Sequence, residues 1–142
     1  MIPKPGAALA DLAVKLATGI APETTSAYAM ANTGLISALL LAMAQDSERA
    51  AANRVADIED MKALFARASS LNAPGAAARE AFQQGAPAGL RISALDAFHA
   101  QGFAALIDLH AWAEVHDPAL SLSIWNFLRT HAERNRFDVP GP

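Results

Sequence analysis

Apolar residues recur along this chain at three- and four-residue intervals, the period of an α-helix, and nowhere alternate as strand residues do. Leu9, Leu12, Leu16 and Ile20 form the first stripe and predict a helix over about Ala7 to Thr18. Pro3 and Pro5 precede it, Gly19 is suited to stop it and Pro22 follows. A second helix is expected from Thr24 or Thr25, whose hydroxyls can cap free N–H groups, to about Gln45. Ala27, Ala31, Gly34, Ala38 and Ala42 make a small-residue seam along it, which should let a neighbouring helix backbone come close. Leu35, Leu39 and Met43 form a bulkier stripe beside the seam. Asp46 and Ser47 are cap-competent and suit a break, which is the expectation, with a continuation of the second helix, bent or straight, as the alternative. From Glu48 to Ala68 an amphipathic third helix follows, with Ala51, Val55, Ile58, Met61, Phe65 and Ala68 on one side. Arg54, Asp57, Asp60, Lys62 and Arg67 fall largely elsewhere.

The middle of the chain is punctuated by two turn clusters, Ser69 to Gly75 and Gly85 to Gly89, with a short helix fitting Ala76 to Gln84 between them. Ser93 and Asp96 resemble a capping box that opens a long helix running to about Val115. Asp117-Pro118 is a cap followed by proline at the first helical position, and it predicts a last helix to Arg134. Ser121, Ile124, Trp125 and Leu128 should line its inner face, and the tail from Phe137 to Pro142 should be loose. The pattern therefore predicts an all-α fold, an up-and-down helical bundle of about five helices plus a short middle helix. A single domain is expected over 1–142, with N-terminal helices over about 7–69, a turn-rich middle over 70–92 and a C-terminal helical hairpin over about 93–134.

Composition narrows the function classes. The chain has 142 residues, 53% hydrophobic and 18% charged, which excludes intrinsic disorder. The apolar fraction is largely alanine and leucine, both strong helix formers. The lack of cysteine removes disulfides, zinc–thiolate sites, iron–sulfur clusters and thiol nucleophiles. A net charge of −3 argues against a nucleic-acid partner, which would call for a basic face. Asp11 and Lys15 interrupt any signal-peptide core, so a cytoplasmic location is expected. No charge falls between Glu23 and Asp46, close to the length of a membrane helix. Thr24, Thr25, Ser26, Asn32, Thr33 and Ser37 dilute that span, and the strongly apolar stretch from Leu35 to Ala44 is short for crossing a bilayer. A buried central helix is the expectation there, not a membrane span. So much nonpolar stripe in a small chain implies oligomerisation, with a homodimer as the expected state.

Candidate chemistry centres on the fourth long helix. His99 and His110 are eleven residues apart, about 20° off three full turns, so they share a face with Phe103 and Leu106 between them. Glu114 lies one turn beyond His110, a spacing that suits either a shared ion or a plain hydrogen bond. The two histidines stand about 16 Å apart along the axis and cannot share one metal, so neither metal nor cofactor is expected. The Glu-x-x-His pairs of diiron bundles are missing. His116 and His131 lie near predicted helix C-termini, where a partial positive charge suits the dipole, and read as structural or exposed. Asp57, Glu59 and Asp60 diverge around their helix by about 100° per residue and read as a solvated face. Trp112, with Asp108 and Val115, lies opposite the histidine stripe and is a candidate subunit contact. Phosphate loops, dinucleotide fingerprints and nucleophile elbows are lacking.

The order of segments from Leu9 to Ser70, with Pro22, Ser26, Ser37-Ala38 and the Ala-rich run to Ala44, resembles the helical cyclodeaminase family of folate metabolism. That family's glycine-rich segment is replaced here by Glu23-Thr24-Thr25-Ser26, and no function is carried over. Two readings remain. One is a non-enzymatic oligomeric interaction module. The other is a small-ligand or metal-binding bundle, enzymatic or not, that uses His99, Phe103, His110 and Glu114.

Overall fold

A computed structural model describes residues 4–138. The chain is an all-α helical bundle, with no strand among the described residues. Among the described residues there are five α-helices: α1 (Pro5–Lys15), α2 (Ala27–Arg67), α3 (Ala76–Gln84), α4 (Ile92–His116) and α5 (Pro118–Arg134). They group into two compact units, Met1–Ala50 with Phe137–Pro142, and Ala51–Arg136.

In the first unit, α1 opens with Pro5 at its start, where the missing N–H costs nothing. Gly19 does not stop the helix. The chain widens into a π turn over Leu16–Ile20 and tightens into a 3-10 turn over Ala21–Glu23, which contains Pro22. The Thr24 hydroxyl donates back to the Ala21 carbonyl at 2.7 Å, so the α2 cap passes to Ser26, whose Oγ accepts from the Ala29 N–H at 3.4 Å. Ser37 Oγ donates to the Ala13 carbonyl at 2.8 Å and ties α1 to α2. Gly6 sits where an added Cβ would lie 2.9 Å from Ser47 Oγ and 3.2 Å from the Ala44 carbonyl oxygen, so glycine is needed for this close approach. The tail expected to be loose is tied down as far as Asp138. Its backbone N–H donates to Gln45 Oε1, Gln45 Nε2 donates to its carbonyl, both at 2.8 Å, and its carboxylate meets Arg49 at 3.3 Å. Val139 to Pro142 lie outside the described residues.

The break expected at Asp46 and Ser47 does not occur, and α2 is one helix of 41 residues. Ser47 Oγ turns back to donate to the Ala44 carbonyl at 2.8 Å, so it is spent inside the helix rather than on a new N-terminus. The expectation of a buried central helix is also overturned. The most apolar 18-residue window of α2 has a mean hydropathy of 1.5, is long and apolar enough to cross a membrane, and is only 11% buried.

The second unit holds the core. Ile58, Met61, Leu64, Phe65 and Ala68 of α2 pack with Phe82 of α3, with Leu95, Phe98, Leu106 and Leu109 of α4, and with Leu120, Ile124 and Phe127 of α5. Phe82 stacks on Phe98 with ring centroids 4.5 Å apart and meets Phe65 edge-on at 5.5 Å. Gly102 lies under these rings, and a Cβ there would come within 2.6 Å of Phe82. Arg79 is buried at the start of α3, where its guanidinium donates to the carbonyls of Ala73 and Pro74 and so satisfies the preceding turn. Gly75 makes that turn with φ at +76°, a conformation that favours glycine.

The predicted cap at Ser93 is displaced to Arg91, which makes no side-chain cap bond. The predicted cap at Asp117 is present: its Oδ1 accepts from the backbone N–H groups of Ala119 at 3.1 Å and Leu120 at 2.9 Å. A one-residue joint makes α4 and α5 an antiparallel hairpin, with His99 facing His131 and Phe103 facing Phe127. The inner face of α5 is Leu120, Ile124 and Phe127; Ser121 and Leu128 are half-buried and Trp125 is exposed. Ala51 and Val55, assigned to the inner stripe of α2, are exposed as well.

Candidate functional site

Polar residues converge inside the second unit where the core stripes of α2 and α5 run on past their apolar members and the stripe of α4 is interrupted. On α2, Asp57 lies one turn before Met61 and two turns before Leu64, on the buried face. On α5, the stripe Leu120, Ile124, Phe127 continues as His131 and Arg134. On α4, His99 follows Leu95 by one turn. Because α4 and α5 are antiparallel, the N-terminal part of one meets the C-terminal end of the other, and Asp57 lies against both.

Asp57 is fully buried. Its Oδ2 accepts from His131 Nδ1 at 2.6 Å and from His99 Nε2 at 3.2 Å, and its Oδ1 accepts from the Arg134 guanidinium at 2.8 Å. Arg134 also reaches Asp60 Oδ2 at 2.6 Å. Burial by itself raises the Asp57 carboxyl, but hydrogen bonds from His99, Arg134 and His131, with the charge of His131 nearby, outweigh it and bring the pKa from 3.8 down to about 2. The same contacts hold the Arg134 guanidinium more firmly in its charged form.

A second ring of contacts fixes the geometry. Phe103 covers the two imidazoles, with centroid separations of 4.7 Å to His99 and 5.1 Å to His131. Asn135 Nδ2 donates to the His131 carbonyl at 2.8 Å and stands 3.3 Å from His131 Nδ1. Asn135 Oδ1 accepts from Arg54, which is itself paired with Asp96 at 2.7 Å. Ligand atoms of Asp57, His99 and His131 all lie within 4.8 Å of one another, which makes these three the residues that could hold a metal ion.

The sequence-based candidates divide. His99 and Phe103 belong to this cluster. His110 and Glu114 lie further along α4, their Nε2 and Oε1 3.6 Å apart, an ion-pair distance beyond a hydrogen bond. His110 instead meets Trp125 edge-on with centroids 5.2 Å apart, and its buried Nε2 has no hydrogen-bond partner. Trp112 is half-buried against the core and stacks on His116 at 4.9 Å, while Asp108 beside it is exposed. The reading of Asp57 as part of a solvated face is corrected, because its neighbours on the helix face are core residues. His131, read as structural or exposed, is half-buried and bonded to Asp57. The signal for both was present in the helical period, since each continues an apolar stripe by a single turn.

A second feature lies in the first unit. Its buried described residues are Gly6, Ala13, Ala44 and Ala50, none of them large. Leu12, Val14 and Ile20 before α2, and Tyr28, Met30, Leu35, Ile36, Leu39 and Met43 on it, are all exposed. The small-residue seam is exposed too from Ala27 to Ala38, with Ala42 half-buried, and Gly34 has nothing within 4 Å of the position a Cβ would take. Within this unit, the residues of α2 turned at least partly inward include Ala29, Thr33, Ser37, Leu40, Leu41, Ala42 and Ala44. No family model, no curated protein and no solved structure matches the chain.

Proposed function

We propose that this chain is a non-enzymatic, cytoplasmic interaction module that works as a homodimer through the uncharged face of α2 in its first unit. The observation that carries this reading is the exposure of Leu35, Leu39 and Met43, each more than half exposed at 59%, 56% and 57%, on a stretch without charge between Glu23 and Asp46. A monomer rarely leaves a contiguous apolar patch of this kind to water. Covering each such side chain returns on the order of 1 kcal/mol.

A second copy is the partner that suits this face best. A two-fold interface sets one patch against itself, and an uncharged patch meets no like charges when it does so. The exposed seam of Ala31, Gly34 and Ala38 supports close approach of a second helix, the purpose expected of it. A bilayer suits the face less well. Asp11 and Lys15 lie exposed on α1, which is bonded to α2 through Ser37, and Asn32 is exposed on α2 itself. Placing a charged residue at the centre of a bilayer costs about 3 kcal/mol.

Light scattering on the purified chain tests the reading. The expected mass is twice the 14.8 kDa of one chain. Leu39→Lys should give a monomer with unchanged helical circular dichroism, because Leu39 is exposed in the single chain. A wild-type monomer at high micromolar concentration sinks the proposal. So does quantitative flotation of the wild type with neutral phosphatidylcholine vesicles, which would assign the same face to lipid.

A further inference from the structure

We propose that Asp57, His99 and His131 form a binding site for one divalent transition-metal ion, zinc being the best match to two imidazoles and a carboxylate. The donor set is the first argument. Imidazole nitrogen and carboxylate oxygen are zinc's usual ligands outside thiolate sites, and three protein ligands leave one position for water. The geometry is the second. In four-coordinate zinc, ligands about 2.0–2.1 Å from the metal lie about 3.3 Å from one another. His99 Nε2 and Asp57 Oδ2 are already 3.2 Å apart. His131 Nδ1 and Asp57 Oδ2, at 2.6 Å, need to open by well under 1 Å.

Both imidazoles address the same carboxylate oxygen, which leaves Oδ1 to Arg134. A guanidinium on the non-ligating oxygen is the kind of outer partner that orients a metal-binding carboxylate. Charge favours the ion as well. With both imidazoles in the neutral form that ligates a metal, Asp57 and Asp60 share the single guanidinium of Arg134 and Arg54 is balanced by Asp96, so the ligand set and its surroundings carry a net negative charge. Proton bookkeeping is simple. Each ligating nitrogen gives up its N–H, and the proton moves to the other nitrogen of the same ring. Among the described residues only His110 Nε2 is a buried side-chain polar atom without a partner, so those other nitrogens reach a partner or water. Entry is open from the imidazole side, since both histidine side chains keep partial exposure, 13% and 27%, while Asp57 has none.

This site is independent of dimerisation, and its test counts metal per chain whatever the mass of the particle. Untagged protein, stripped with chelator, is titrated with zinc chloride and read by calorimetry and by thermal melting. One equivalent per chain and a raised melting temperature are expected. His99→Gln and His131→Gln should each weaken zinc binding by about 100-fold, at or beyond the usual loss from outer-shell changes, while His116→Gln, at an exposed position, should leave it unchanged. Cobalt chloride added to the wild type should give the visible absorption of a four-coordinate nitrogen–oxygen site. That readout decides the matter even where a histidine variant fails to fold. Zinc binding that is absent, or that survives in both His99→Gln and His131→Gln, overturns the proposal, as does a cobalt spectrum of the fully hydrated ion.

Discussion

A carboxylate cut off from water has to find its donors inside the protein, and Asp57 finds three, on His99, His131 and Arg134. Those donors make its ionised form part of the folded state. Because its pKa is depressed from 3.8 to about 2, the stabilisation is fully present above about pH 4 and is lost as the pH falls toward 2. The amount is about 2 kcal/mol, from roughly 1.4 kcal/mol per pKa unit. Urea denaturation between pH 5 and 2 should therefore show a fall in stability that is about 2 kcal/mol smaller in Asp57→Asn. The variant itself should be less stable at pH 7 by about 2 kcal/mol, because it removes one of the two carboxylates that hold Arg134 and leaves His99 and His131 facing an amide. An equal fall in variant and wild type would show that Asp57 does not carry the effect. His99 and Phe103 were legible as a pair on one helix face. Asp57 was obscured by Glu59 and Asp60, whose company suggests a wet surface. Its offset of one turn from Met61 and two from Leu64 is the property that decides its burial.

At the scale of elements, a local signal fixes a boundary where it is sufficient by itself, as Asp117 is and Ser93 is not. Asp117-Pro118 starts α5, and the turn residues through Gly75 release α3 at Ala76, because cap and turn chemistry act within a few residues. The continuity of α2 was not legible in the same way. Asp46 and Ser47 can cap a helix, but nothing there forces the backbone out of it, and the Ala-rich run that follows favours continuing. Gly102 raises the opposite problem, since a helix interior disfavours glycine and only the neighbouring helices explain it. Gly102→Ala would place its methyl 2.6 Å from Phe82 and 2.8 Å from Met61, and Phe82 is held by its stack on Phe98. The expected cost is about 1–3 kcal/mol in a denaturant titration, the range for overpacking, despite alanine's better helix propensity. A neutral or stabilised variant would mean that Phe82 can move aside.

At the scale of the whole molecule, the two units differ in what they bury. The unit Ala51–Arg136 closes large side chains such as Phe65, Met61, Leu95, Leu109 and Ile124 away from water. The unit Met1–Ala50 with Phe137–Pro142 fully buries only glycine and alanine among its described residues, while Leu12, Met30, Leu35, Leu39 and Met43 remain outside. A helical hairpin without large buried side chains draws little of its stability from packing, so local opening should come easily there. Which apolar face would be left outward was not legible, because Ala27, Ala31 and Gly34 suit an internal contact and a contact with another chain equally. If a second copy covers the face, that cover is supplied by mass action and has to depend on concentration. Amide hydrogen exchange followed over a hundredfold dilution should therefore show protection falling across Ala27 to Met43. Protection in α4 and α5 should stay constant, since their core lies within one chain. For association far above its dissociation constant, a hundredfold dilution raises the fraction of free chains about tenfold and so removes about 1.4 kcal/mol per chain of the stabilisation that dimer formation provides. Uniform protection at every concentration would mean that the hairpin holds by itself and that its apolar face is not a dimer contact.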